Sequence, residues 1–385
     1  MDDFIYLDYN ATTPVDPRVA AAIVATLQED FGNPSSSHAL GRRARQHVEQ
    51  ARERVARLIG AAPEEIVFTS GGSESNNAVI FGVAAETPPE RRHLVISAVE
   101  HPAIVEPARA LAARGWRVST LPVDGEGRVD PDSLAEVLTP DTALVSVMLA
   151  NNEVGTLQPI AELSALCRAN GVPLHTDAAQ AVGKVPVDVA ALDVDFLSLA
   201  GHKFYATKGV GALYLRRGRT LPPFVLGASQ EDGRRAGTEN VPAIVGLGQA
   251  AHLSHSLIDE DMAHSHSLRK HLLENLRQRF DVERMRVNGP AERGGAAALP
   301  GTLSVAFRGL AAGDLLRALA DRLAASAGAA CNSDGGKISA VLTAMGVAPE
   351  WARGTLRLSV GRMSTGRDVD RGVQLLTEAV TPLLA

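Results

Sequence analysis

What most constrains the fold of this chain is a repeated pairing: a short run apolar on both faces, then a polar cluster. Ile66–Thr69, Leu94–Ser97, Ala143–Ala150, the runs at 173–176 and 194–199, and Val210–Leu215 all read as buried strands, with helix-length segments between most of them. Strands that are apolar on both faces and alternate with helices specify a mostly parallel sheet covered by helices, an α/β architecture. Ser73, His101, Asn152, Asp177 and the pair His202-Lys203 all fall just after predicted strands. Open α/β sheets bind ligands outside the carboxyl ends of their strands, so these tips share one predicted crevice.

Two of the tips suggest a chemistry. Asp177 and Lys203 end neighbouring runs and would face each other. A lysine there can form a Schiff base with pyridoxal phosphate, while an aspartate keeps the pyridine nitrogen protonated so that the ring draws in electrons. The alternative is a surface lysine and a helix-capping aspartate. Ser70-Gly71-Gly72-Ser73, between a strand and a helix start, would present free backbone N–H groups to a phosphate, although such turns also close helices that bind nothing. His101, at its strand's end, is open to a structural or a catalytic reading.

A length of 385 residues suggests two domains, and 45% hydrophobic with 21% charged residues suits a large core. A net charge of −6 argues against direct tracking of nucleic-acid phosphates. The amino terminus lacks a basic and apolar leader, and no apolar run nears the roughly 18 residues of a membrane span. The expectation is a cytoplasmic protein with no membrane contact. Cys167 sits in a helical pattern and reads as a small buried residue. Cys331 lies among glycines, alanines and serines with little to bury, which suits an exposed nucleophile or an incidental loop cysteine.

Asp16 is expected to cap a helix whose apolar face is Ile23, Val24 and Leu27, and the charges between Gly41 and Ile59 to form a solvated face. Two helical stretches are expected between Pro242 and Phe280. His252, His255, His264, His266 and His271 fall there, but without the carboxylate or cysteine set of a closed metal site, so no metal is assigned. The expected division is a large domain at 15–256 and a smaller α+β domain formed by 1–14 with 257–385, carrying the Cys331 loop.

The ordered set Tyr6–Pro14, Phe68–Asn77, Asn151–Gly155, Gly201-His202-Lys203, Arg235–Asn240, the Cys331 segment and Arg357–Arg362 resembles the class V, fold-type I pyridoxal-phosphate enzymes. Within them it most resembles cysteine desulfurases of the NifS/IscS group, nearly end to end. The resemblance implies a large domain with a seven-stranded-type sheet and a homodimer. Lys203 would carry the cofactor, Asp177 pair with its ring nitrogen, and His101 stack on the ring and move protons. Asn152 and Gln180 would contact its phenolic oxygen. Gly72, Ser73 and His202 would hold its phosphate, with Thr238 supplied by the other subunit. Arg357, Asn10 and Asn152 would bind the substrate carboxylate.

The implied reaction removes sulfur from L-cysteine, leaving L-alanine and a persulfide on Cys331 that passes to an acceptor protein. Iron–sulfur assembly, thio-nucleoside synthesis and sulfur modification of DNA all remain open as destinations. The rival readings are a selenocysteine lyase, a class V aminotransferase, or a sulfur-relay scaffold without turnover. The chain departs from the group's pattern at Ala200, where many relatives place a phosphate-binding serine, at Ala206-Thr207, and at Gly336-Lys337-Ile338-Ser339.

Overall fold

The computed structural model describes residues 4–292, 297–327 and 338–384. Its strands are, in chain order, β1 (Ile5–Tyr6), β2 (Ile66–Thr69), β3 (His93–Ser97), β4 (Arg117–Leu121), β5 (Thr142–Ser146), β6 (Leu174–Asp177), β7 (Phe196–Ala200), β8 (Gly211–Leu215), β9 (Met285–Asn288), β10 (Thr302–Phe307), β11 (Leu323–Ala324) and β12 (Thr355–Ser359). Seven of them form one sheet in the order β2-β8-β7-β6-β5-β3-β4. Only β8 runs against its neighbours, so the carboxyl ends of β2, β3, β5, β6 and β7 share one edge. β2, β3, β5, β6, β7 and β8 are buried throughout, as their unbroken apolar runs require. β4 was not expected: it is an edge strand, and its partly exposed Arg-Val-Ser-Thr lacks the apolar run that marks the others.

Helices α1 (Pro17–Glu29), α2 (Ala39–Leu58), α3 (Gly72–Glu86) and α4 (Pro102–Ala112) precede or follow these strands. Asp16 caps α1 as expected, its carboxylate accepting from Arg18 N. The apolar face of α1 differs from expectation: Val24 and Leu27 are exposed, and the helix packs through Val19 and Ile23. The α2 charges are not all solvated either. Arg52 is buried, donates to both carboxylate oxygens of Glu231 at 2.8 and 2.9 Å, and lies 4.8 Å from the Phe68 ring centre. Glu231 Oε2 also accepts from Phe68 N, so this pair fastens the polar 230–240 loop to α2 and β2.

The two helical stretches expected after Pro242 are one continuous helix, Val241–Arg277. It crosses α2 closely, because a Cβ built on Gly248 would lie 2.6 Å from Ala51 Cα. Its first half buries Ile244 and Leu247 with α1 and α2; its second buries Leu268, Leu272 and Leu276 in a separate core. That second core covers the antiparallel sheet β12-β10-β9. β9 was also not expected from the sequence. The amino-terminal β1 pairs in parallel with β11, and Asp8 bridges to Ser359 beyond it. This carries Asn10 from the second sheet to the carboxyl edge of the first. Among the described residues, no helix is long and apolar enough to cross a membrane.

Removing Glu231 would strand a buried guanidinium. Glu231→Ala is expected to cost about 3–5 kcal/mol of stability, measured as a lower urea midpoint; an unchanged midpoint would show the pair to be dispensable.

Candidate active site

Asp177 ends β6 and is nearly buried. Its Oδ1 accepts from Ala179 N at 3.0 Å and its Oδ2 from Asn76 Nδ2 at 2.7 Å, which fixes the carboxylate plane. One strand over, β7 runs into a single tight turn, Gly201–Lys203. Lys203 Nζ donates to the main-chain oxygens of Asn10 and Ala11, both at 2.8 Å. Burial, followed by the Arg357 cation, lowers the Lys203 amine to about 8. Those same surroundings make it a nucleophile near neutral pH.

His101 is the cap of α4, where its Nδ1 accepts from Ala103 N at 3.1 Å. With Nδ1 accepting, the neutral ring carries its proton on Nε2. Desolvation by the surrounding protein keeps this histidine below its ordinary value, with Lys203 acting in the same direction and Asp177 opposing. His202 pairs with Thr12 Oγ1 at 3.2 Å, and burial, then Lys203, lowers it to about 4. Just before His101, Glu100 Oε1 accepts from Ser97 Oγ at 2.5 Å and Met148 N at 2.8 Å. Burial raises this acid to about 8, so at neutral pH it adds little negative charge beside Asp177.

The turn after β2 leads into α3 with no side-chain cap, leaving the first N–H groups of Gly72 and Ser73 without helical acceptors. A Cβ on Gly72 would sit 3.6 Å from Ala200 Cβ, so the glycine keeps this corner open. Opposite, Arg357 on β12 donates to Asp8 Oδ1 at 2.7 Å and Asn152 O at 3.0 Å, and its buried Nε has no partner among the described residues. Asn10 Nδ2 reaches the same Asn152 oxygen at 3.2 Å and Thr302 Oγ1 at 2.9 Å. Gln180 Nε2 donates to Asn10 O at 2.8 Å.

These pieces enclose a cavity of about 230 Å³, lined among others by Asn10, Gly72, Ser73, His101, Asn152, Asp177, Gln180, His202, Lys203 and Arg357. One described residue singled out from the sequence is not among them. Thr238 is exposed and does not line the cavity of its own chain. Cys331 lies outside the described residues. On either side of it, Ser326 pairs through its main chain with Arg357 (2.6 and 3.1 Å), and Ser339 Oγ donates to Glu153 Oε2 at 2.6 Å.

The sequence reading missed Asp8, Asn76, Glu100 and Lys184. Asn76 stands four residues after Gly72, hence on the same face of α3, and Lys184 stands four after Gln180. That helical spacing was the available signal for Asn76; Lys184 lies in a turn, where it does not apply. Asp8 and Glu100 had none beyond their proximity to Asn10 and His101.

A seven-stranded α/β sheet with a lysine and an aspartate at adjacent strand ends defines a class of enzyme scaffold, and residues 5–371 match the aminotransferase class-V family, to which the chain belongs. The family is one of pyridoxal-phosphate enzymes. Within it, the chain is 43% identical to "Cysteine desulfurase IscS" of Methanosarcina thermophila, over 98% of this chain and 92% of that one. A solved "NIFS-LIKE PROTEIN" superposes with a TM-score of 0.91 at 35% identity, covering 98% of this chain and 99% of that chain. "SspA in complex with cysteine" gives 0.78 at 34% identity, covering 92% and 98%.

The lowered Lys203 amine is directly testable. In the cofactor-free protein, acetic anhydride should half-label the Lys203 peptide near pH 8, with labelling rising as pH rises and the neutral amine accumulates; ordinary lysines follow near 10.5. A Lys203 profile coincident with surface lysines would contradict the burial argument.

Proposed function

We propose that this chain is a pyridoxal-phosphate-dependent L-cysteine desulfurase that releases L-alanine and leaves a persulfide on Cys331. The observation carrying the reading is one cavity lined by Lys203, Asp177, His101 and Arg357, each from a different element.

The donor set suits pyridoxal phosphate: an amine for its aldehyde, a carboxylate held by two N–H donors for its ring nitrogen, and uncapped helical N–H groups at a glycine turn for its phosphate. Gln180 and Asn152 would hold its phenolic oxygen, His202 would help hold its phosphate, and Thr238 would reach the partner subunit's site in a homodimer. Ala200 contributes no hydroxyl there, so the helical N–H groups carry more of the phosphate contact. Once bound, this cofactor withdraws electrons from the substrate Cα and weakens the bonds around it.

The chain's own residues do the rest. Arg357 and Asn10 bind the substrate carboxylate, with Arg357 exchanging part of its contact with Asp8 for it. Lys203 Nζ takes the proton from Cα, a task suited to an amine held near 8. His101, with its proton on Nε2, would move a proton to or from the substrate. The Cys331 sulfur attacks the substrate sulfur, forming an S–S bond as the Cβ–S bond breaks. The thiol protons and the Cα proton are redistributed between persulfide and alanine, so no oxidant is needed. The persulfide then meets the thiol of an acceptor protein. Anchors at Ser326 beside Arg357 and Ser339 on Glu153 tie the segment's described flanks to the substrate end of the cavity.

With cysteine and a thiol acceptor, wild type should release alanine and sulfide in equal amounts. Cys331→Ala should keep the yellow cofactor colour and lose at least about 99% of sulfide release, whereas Lys203→Ala should lose both stable colour and turnover. Arg357→Ala should raise KM for cysteine by roughly tenfold or more, the scale of a lost charged hydrogen bond. Sulfide release undiminished in Cys331→Ala would sink the assignment, and keto-acid-dependent amino transfer in its place would favour an aminotransferase.

A further inference from the structure

Lys184 takes no part in the reaction as described and does not line the cavity, yet its amine touches two residues that do. Nζ donates to Gln180 Oε1 at 2.6 Å and to Asn10 Oδ1 at 2.9 Å. Nζ is the donor in both contacts, so the atoms facing it are the amide oxygens rather than the amide nitrogens. This fixes the other end of each amide. Gln180 Nε2 is turned to Asn10 O, spending one N–H and leaving the second for the cavity. Asn10 Nδ2 is turned to Thr302 Oγ1 and to Asn152 O, the oxygen that also receives Arg357.

We propose that Lys184 is a positioning residue that locks Gln180 with its N–H toward the cavity, making that wall a donor site for the phenolic oxygen of the cofactor. The inference rests on the functional reading above, and extends it to a residue behind the wall. Without the amine, the amide oxygens of Gln180 and Asn10 lose their donor. Gln180 is then free to turn, and would offer an acceptor to an oxygen that itself needs a donor. The turn carrying Lys184 is held close to the cofactor lysine: Gly183 has φ 76°, and a Cβ there would lie 2.6 Å from Phe204 Cβ, next to Lys203. A side chain at 183 would therefore force this turn and Phe204 apart. Burial, and then the Lys203 and Arg357 cations, push the Lys184 amine well below the usual lysine range, yet even a neutral amine keeps two N–H groups for its two oxygens.

The test measures dissociation constants of the full-length protein for pyridoxal phosphate and for 3-deoxypyridoxal phosphate, which lacks the phenolic oxygen. Lys184→Met should weaken pyridoxal phosphate by roughly tenfold, as for one good hydrogen bond, and change the deoxy analogue by less than about twofold. In a Gln180→Leu background the Lys184→Met effect on pyridoxal phosphate should vanish. Equal losses for both ligands, or no loss for either, would overturn the positioning role and leave the desulfurase reading standing. A wild type that binds neither ligand would overturn that reading, and this inference with it. If Lys184→Met does not fold by circular dichroism, Lys184→Gln serves instead, with the same preference for the oxygen-bearing ligand expected at smaller size.

Discussion

The site depends on a crossing of the chain: the segment after β1 arrives from the second sheet and lays its main-chain oxygens over the end of β7. Lys203 Nζ is held by Asn10 O and Ala11 O, and Gln180 donates to the same Asn10 oxygen. Asn10 N in turn donates to Ser359 Oγ, and its side chain reaches Thr302 and Asn152. One residue thus joins the Lys203 end of the cavity, built on the large sheet, to the Arg357 end, built on β10 and β12. Any shift of β1 relative to β7 would move both ends together.

Charge inside the cavity is arranged by burial as much as by pairing. Lys203, Lys184 and Arg357 lie close enough for the cations to depress the two lysines. Asp8 pairs with Arg357 and Asp177 is fixed by N–H donors, while Glu100 is raised to about 8 and the nearby His202 lowered to about 4. Glu100 and His202 are thereby mostly neutral near pH 7, and Asp177 retains its two donors. A site of this kind favours anionic ligand groups without drawing on surface charge, consistent with the chain's net charge of −6.

Much of the site was legible because strand, polar tip and helix start follow one another locally. Asp177 and Lys203 could be paired from apolar runs alone, and Asp16 recognised as a cap from its position before Pro17. What the sequence concealed depends on distant partners. Arg52 reads like its exposed neighbours until the 230–240 loop brings Glu231 to it. Val24 and Leu27 share the periodicity of Ile23, but Gly246 admits Ile23 and none of the described residues covers the other two. Lys184 is set apart from a surface lysine by burial and by partners that include the Asn10 amide, 174 residues away. β4 and β9 are edge strands, where a half-solvated pattern replaces the apolar signal.

The unbroken helix Val241–Arg277 is, at 37 residues and ~1.5 Å each, a rod of roughly 55 Å set in both cores. A boundary placed near residue 256 by sequence falls inside this rod, where no linker exists to absorb rotation. Severing the chain there would expose leucines at both stumps, so neither lobe is expected to survive as an independent fragment. The gap between the sheets can change only by flexing a girder or by sliding the strand that crosses it.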